Sequence, residues 1–314
     1  KAYGAELVLT DGRLGMKGAI ERAAALAAAC QSGAQMLTSG PTPINILAPQ
    51  WKMGVSADAS GEFSLPADMS DGLGGDLGVY SASANVKFQG AYSDRHFLTV
   101  SLNYTYSQYD FSSDAAPFSS MNKTSALAFY TSRIDERWGV FGIASASFGA
   151  QAGESLWSGR SMFAGAGASY SFCESLTAGI GAIAYSRVDN TWIGLPVAFI
   201  DWNISDRLKL RTFSGAALLY DVFGDNSLVL NAVFEYRNSY YRLEGREGVR
   251  RSVSDSFYQF SVGATCNISE RAYISAAVGG NFDRELDMRR SSRSAEEYEV
   301  DAAPFFSVHA GFSF

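Results

Sequence analysis

The chain has 314 residues with 25 basic and 32 acidic side chains. This mildly acidic balance lacks the basic footprint that nucleic acid requires, so we expect no nucleic-acid partner. Three scattered cysteines and two histidines lack the spacing of a metal site or disulfide framework, and the sequence indicates no metal or other cofactor. No apolar run approaches the ~20 residues of a membrane-spanning helix, but a β-barrel escapes this test because its strands alternate lipid-facing and lumen-facing residues.

Residues 1–50 differ in composition from the rest of the chain. Met16–Ala34 has basic residues, an Ala-rich block and then small residues, as in a secretory signal peptide, although Glu21 interrupts the pattern and residues 1–15 precede it. An Ala-rich helix inside or beneath the barrel is the alternative, and lipoprotein processing at Cys30 is a third. Proline-rich Gly40–Gln50 predicts a linker to a single domain at residues 51–314.

From Trp51 onward the sequence has a period of two. Between Leu98 and Ser107, large apolar residues occupy every even position and polar residues every odd position, and the same division recurs at 51–65, 228–236 and 258–264. This period predicts strands with one apolar and one polar face. The residues expected to face a hydrated lumen include Thr99, Ser101, Asn103, Gln259, Ser261 and Thr265.

The links between these strands alternate in length. Short polar links follow Tyr92, Ile134, Cys173, Asn203, Gly224 and Asn267, and longer ones occupy 68–75, 112–120, 151–158, 187–190, 244–251 and 285–301. This asymmetry predicts an all-β fold, a closed antiparallel transmembrane up-and-down β-barrel with short periplasmic turns and longer extracellular loops. The predicted strands from Trp51 onward number 14, or 12 if the short hairpin Leu208–Val222 is left out. A soluble β-sandwich is the alternative, but strands of roughly 12 to 16 residues exceed its usual lengths.

The five tryptophans lie near the expected strand ends, where a membrane belt places amphipathic rings. We expect this belt to contain Trp51, Trp138, Trp157, Trp192 and Trp202.

The last residues of the sequence, Ala303–Phe314, alternate between apolar and small polar positions. One face carries Phe306, Val308, Ala310, Phe312 and Phe314. This pattern resembles the C-terminal signal that the barrel-assembly machinery reads in bacterial outer-membrane proteins. Together with "SLNYTYSQYDF" and "LPVAFIDWNISDRLKLRT", it resembles an uncharacterised family of outer-membrane β-barrel domains, a domain of unknown function in Gram-negative bacteria, over Tyr80–Phe314. The resemblance implies a barrel in the outer membrane, among lipids and lipopolysaccharide, and no functional residues.

We expect a passive pore or channel for small polar solutes, and no enzyme. The alternatives are a transporter of hydrophobic substrates plugged by the N-terminal segment, a structural or adhesive barrel, and a lipid-acting enzyme with His309 as its base and Ser307 on the same face. Two predicted outer loops carry a cluster of arginines that would meet anionic solutes or lipopolysaccharide phosphates, or form a solvated face with neighbouring glutamates. These are Arg242, Arg246, Arg250, Arg251, Arg289, Arg290 and Arg293.

Overall fold

The computed structural model describes residues 52–70, 74–92, 95–113, 116–186, 192–212, 215–246, 249–290 and 295–314. The predicted signal peptide, the linker, Trp51 and Arg293 lie outside the described residues.

The described chain is a closed antiparallel β-barrel in which consecutive strands from β1 to β14 pair with one another. The strands are β1 Lys52–Ser70, β2 Asp76–Tyr92, β3 His96–Phe111, β4 Ser120–Arg133, β5 Trp138–Gln151, β6 Arg160–Cys173, β7 Leu176–Ser186, β8 Trp192–Asn203, β9 Leu208–Arg211, β10 Gly215–Asp221, β11 Leu228–Arg246, β12 Val249–Asn267, β13 Ala272–Arg290, β14 Ala295–Val300 and β15 Ala303–Ser313. Both β14 and β15 pair with β13 on one side and β1 on the other, so they form a single wall position. The predicted count of 14 is confirmed. Among the described residues, no helix is both long and apolar enough to cross a membrane.

The two faces of the wall differ as the period of two predicts. Large apolar side chains on the outer face are solvent-accessible, for example Leu102 (49%), Phe234 (47%) and Phe306 (50%). Their inward neighbours include the buried Ser101 and Ser307. A soluble sandwich would bury its large apolar face between two sheets, so the sandwich alternative is wrong.

Three of the short turns share one construction. Ile134–Arg137, Ile204–Arg207 and Ile268–Arg271 each have Asp or Ser at the second position and an acidic residue at the third. Asp135 Oδ1 accepts hydrogen bonds from the backbone N–H groups of Trp138 and Arg137, both at 2.7 Å. These two bonds lower the pKa of the Asp135 carboxyl. Local side-chain bonds of this kind fix the turns and therefore the strand register.

The strands differ greatly in length around the wall. We call β1–β3 with β11–β15 the tall half, because β1, β11, β12 and β13 each have 19 residues. We call β6–β10 the short half, in which β9 has 4 residues and β10 has 7. The predicted hairpin Leu208–Val222 therefore exists, with strands even shorter than its neighbours.

At the end with the longer links, β5 touches β11 across the barrel. Ala150 forms a parallel bridge with Arg242, and the N–H of Glu244 donates to Gln151 Oε1 at 3.1 Å. Gly149 permits this approach, since a Cβ there would collide with the Tyr240 carbonyl. The contact separates the tall half from the short half at this end of the barrel.

An apolar cluster fills the same end of the tall half. We call it the cap; its buried members are Ala67, Met69, Leu77, Val79, Tyr109, Phe118, Met121, Tyr241, Leu243, Val253, Leu286, Met288, Val300 and Ala303. Leu243, Val253 and Leu286 are almost completely buried. The cap therefore closes the lumen at the end opposite the short turns.

Candidate functional site

Polar side chains line the lumen of the tall half below the cap. A cavity of ≈190 Å³ lies in the middle of the barrel, bordered by hydroxyl and amide residues that include Ser83, Ser101, Asn103 and Thr105. Nearer the short turns lies a wider vestibule of ≈610 Å³, which reaches Ser56 and Asp58 on β1 and Thr265 on β12. The two spaces follow one another along the same strands. Their lining agrees with the predicted lumen positions Ser101, Asn103 and Thr265.

The first charged layer, directly under the cap, is an ion pair between neighbouring strands. Arg284 on β13 donates from Nη2 to Asp255 Oδ2 at 2.6 Å and from Nε to Asp255 Oδ1 at 2.9 Å. Tyr109, from β3 across the lumen, donates its hydroxyl to Asp255 Oδ2 at 2.6 Å. The two charged side chains are only 4% and 5% exposed. Such a bidentate pair with its remaining acceptor capacity used is well satisfied, so it can exist out of water.

The aromatic rings around this pair hold the guanidinium in place. Arg284 Cζ lies 4.9 Å from the ring centroid of Phe257 and 5.7 Å from that of Tyr109. A cation over an aromatic face is attracted by the ring quadrupole.

The second charged layer spans the lumen from β11 to β1. Arg237 contacts Glu62 at 2.7 Å through Nη1 and Glu235 at 2.7 Å through Nε. Gln259 donates to Glu62 Oε1 at 3.3 Å and to Asn281 Oδ1 at 2.8 Å. Because β1 and β11 are separated by several strands of the wall, these bonds run through the interior. Together the two charged layers form what we call the cross-lumen network.

A third link joins β4 to β11. Lys123 Nζ donates to Ser239 Oγ at 3.0 Å, and both side chains border the cavity. Within the cavity wall, the cations Lys123, Arg237 and Arg284 are matched by the carboxylates of Glu62, Glu235 and Asp255. The site is therefore strongly polar without a large charge of one sign.

The vestibule carries charges of both signs. Asp58 accepts a hydrogen bond from Asn85 Nδ2 at 2.9 Å at its inner end. The other charged residues on its wall are Lys87, Asp206, Arg207, Lys209, Arg211, Asp221, Asp225, Glu270 and Arg271. The vestibule wall therefore offers hydrogen-bonding groups and charges of both signs.

Sequence comparison places the chain in a family. Residues 60–313 match the family described as a domain of unknown function (DUF6268). The chain belongs to this family. No curated protein sequence matches it. This finding agrees with the resemblance noted for Tyr80–Phe314.

Solved structures that are similar to this chain include three bacterial proteins. An outer-membrane channel from Pseudomonas putida F1 is 10% identical, with 87% of this chain and 99% of that chain covered and a TM-score of 0.42. The P. putida toluene transporter TodX is 8% identical, with 88% and 92% covered and a TM-score of 0.39. The translocator domain of the autotransporter NalP from Neisseria meningitidis is 12% identical, with 94% and 98% covered and a TM-score of 0.40. These likenesses concern the barrel fold alone.

The predicted assembly-signal residues share the outer face of the closing strand. Phe306, Val308, Phe312 and Phe314 are all exposed there, Phe314 by 75%. Ser60 on β1 lies opposite His309 on β15, so this strand closes the wall. Recognition by the assembly machinery stays a prediction.

The four tryptophans of the predicted belt that the structure describes are exposed. Trp138 and Trp202 lie at strand ends beside short turns, Trp192 begins β8 beside a longer link, and Trp157 lies in the 3₁₀ turn Leu156–Gly159. Their placement in a membrane belt stays a prediction.

The arginines expected in outer loops lie mostly on strands, because pairing continues beyond the predicted strand ends. Arg242 and Arg251 belong to β11 and β12, which remain paired up to Arg246 and Val249. Arg289 belongs to β13 and contacts Asp287 at 3.0 Å. None of these three borders the cavity or the vestibule. Arg246, Arg250 and Arg290 are also in strands, but their side chains lie outside the described part of the chain.

The structure places His309 on the cavity wall opposite Ser60 of β1, and not beside the predicted Ser307. His309 borders the ≈190 Å³ cavity. Ser307 is buried two positions away on the same strand, and residues at that spacing are ~7 Å apart. The described residues contain no cluster of His, Cys, Asp and Glu side chains that could hold a metal ion.

Sequence reasoning missed the cross-lumen network. Its members Glu62, Arg237, Asp255 and Arg284 are charged residues inside long strands of otherwise apolar or small residues. Charges at such positions could have been singled out, because an ionisable group at membrane depth needs a partner inside the barrel. The partner of each charged side chain depends on how the wall curves, and the local period of the sequence does not show this.

Proposed function

We propose that the protein is an outer-membrane channel for small polar solutes and that this conformation is its closed state. The observation that carries the proposal is the polar lining that continues from the vestibule to the central cavity along β1, β2 and β11–β13. A barrel with only a structural role would be at least as stable with an apolar filling, since even paired charges lose hydration free energy when they are buried.

The apolar outer face supports the outer-membrane location. An antiparallel closed barrel pairs most of its backbone groups with neighbouring strands and can therefore satisfy them in hydrocarbon. Membrane lipids and lipopolysaccharide are the partners proposed for this face, and the apolar residues of β15 are the proposed contact for the assembly machinery.

The closed state has two barriers in series. The cap excludes water at the outer end, and the cross-lumen network ties β1, β3, β11 and β12 together beneath it. Conduction requires both barriers to open, because ions do not cross a dry apolar constriction.

Planar-bilayer recording of the purified protein tests this proposal. We expect rare conductance steps from the wild type and frequent steps from a Leu243→Ala/Leu286→Ala/Arg237→Gln variant. This variant shortens two side chains of the cap and removes the ion pairs that Arg237 forms in the cross-lumen network. The control variant Leu102→Ala/Leu230→Ala makes the same two truncations on the outer face and is expected to behave as the wild type.

A folded cap variant that stays silent would contradict the channel and favour the second candidate, a structural barrel. The complete burial of the cap is the observation that favours this second candidate. The plugged transporter of hydrophobic substrates depends on residues 1–50, which lie outside the described chain, and stays a prediction.

A further inference from the structure

At β9 and β10, the wall of the short half does not cover the full thickness of a membrane. A transmembrane strand needs about 9–11 residues at the usual tilt. β9 has 4 residues and β10 has 7, whereas the flanking β8 and β11 have 12 and 19. The two short strands therefore leave the upper part of the wall between β8 and β11 without a strand.

Backbone pairing shows where this interruption begins. β8 pairs with β9 only at Asp201–Asn203, followed by hydrogen bonds between Ile200 and Thr212. β10 pairs with β11 only up to Gly215 opposite Glu235. Among the described residues, no strand pairs with the β9 side of Trp192–Phe199. We call this free edge of β8, with the facing edge of β11 between Glu235 and the bridge to β5 at Arg242, the notch.

A proline on β8 fits a permanent free edge. The N–H of Ile200 points toward β9, because it donates to Thr212 Oγ1 at 2.8 Å. Backbone N–H directions alternate along a strand, so the N–H at position 196 would point to the same side. Position 196 is Pro196, which has no N–H. A donor that would lie unpaired in hydrocarbon is thereby removed, and proline is otherwise confined to edge strands.

The inner face of β8 behind the notch is apolar. Ile193, Leu195, Val197 and Phe199 occupy its alternate inward positions and are only partly buried. Leu195 and Val197 pack against a buried cluster of Leu127, Ile143 and Ile183. Phe199 lies 5.4 Å from Phe141, measured between ring centroids. Exposing these apolar side chains to water would cost free energy, whereas contact with a hydrocarbon chain would not.

We propose that the notch is a lateral opening in the barrel wall that admits an acyl chain of a membrane lipid to the apolar inner face of β8. The contact between β5 and β11 keeps this apolar recess apart from the polar lumen at the outer end. The inference rests on the membrane location given under the proposed function, and it adds a lipid-facing site that a polar channel does not require.

Single-tryptophan variants in liposomes of phosphatidylcholine brominated on its acyl chains test the opening. In a background with all five native tryptophans changed to Phe, one tryptophan is introduced by Val197→Trp, on the inner face behind the notch. The matched control Ser261→Trp lies six residues from the turn end of β12, as position 197 does on β8, but inside a fully paired wall. Ala198→Trp, on the outer face of β8, reports membrane insertion.

We expect the brominated lipid to quench most of the tryptophan fluorescence at positions 197 and 198 and little of it at position 261. Quenching at 198 with none at 197 would overturn the lateral opening and leave the membrane location standing. Absence of quenching at both position 197 and position 198 would refute the membrane location itself. Because Val197→Trp enlarges a packed residue, Leu195→Trp provides a second inner-face position, and heat-modifiable gel mobility verifies that each variant is folded.

Discussion

The tall and short halves of the barrel share one period but fill their interiors differently. In the tall half, inward positions carry polar and charged residues that bridge the lumen, such as Glu62 and Arg237. In β6 and β7 of the short half, inward positions carry glycines and aromatic rings. Lys209, Arg211 and Asp221, on β9 and β10, line the vestibule instead. The difference teaches that the period of two fixes which residues face inward, while the size and charge of those residues decide how the interior is closed.

The glycines of β6 and β7 show how the short half is closed. A Cβ at Gly167 would collide with the ring of Phe141, and one at Gly179 with the ring of Phe199. Each ring thus lies directly over a strand backbone, as close-packed interiors require. Apolar contact replaces the ion pairs of the tall half.

The largest expected effect concerns the tall half. Asp255→Ala leaves the guanidinium of Arg284 buried and unpaired, and we expect a loss of about 3–5 kcal/mol in the free energy of unfolding. Urea unfolding in lipid vesicles measures this loss. Asp287→Ala, which breaks a partly exposed contact with Arg289 on the same half, is the control, with an expected loss of about 0–1 kcal/mol. Equal losses from both variants would show that the network is not a buried structural element.

A smaller effect is expected in the short half. Gly167→Ala places a Cβ against both the Phe141 ring and the Ile180 carbonyl, and overpacking of this kind costs about 1–3 kcal/mol. The control is Gly61→Ala in the tall half, where a Cβ meets no atom within 4 Å. The same unfolding measurement applies. If Gly167→Ala is as well tolerated as Gly61→Ala, the rings do not pack on the glycine backbone as described.

The sequence predicted the barrel, its 14 wall positions and the face of each clear strand, because alternation is a local property. Long continuous alternation, as at Leu98–Ser107, left no ambiguity about the inner face. The strands at Met121–Ile134 and Arg137–Gly149 alternated less clearly, because both of their faces carry apolar residues.

The candidate site was only partly visible in the sequence. Polar lining residues such as Asn103 followed from the period, but the pairing of Tyr109 with Asp255 joins strands far apart in the chain. The arginines at 242 and 251 were expected in loops because charged residues are common there, yet pairing in a long hairpin continued past them. The notch could not be predicted, since it depends on where neighbouring strands stop.

The central claim is that this wall separates hydrocarbon outside from water inside. Two adjacent residues of β11 test it most directly in a cysteine-free background in liposomes: Leu230→Cys on the exposed outer face and Asn231→Cys on the wall of the vestibule. With a charged, water-soluble methanethiosulfonate reagent, we predict rapid modification at position 231 and none at position 230. Equal or faster modification at position 230 would contradict the account.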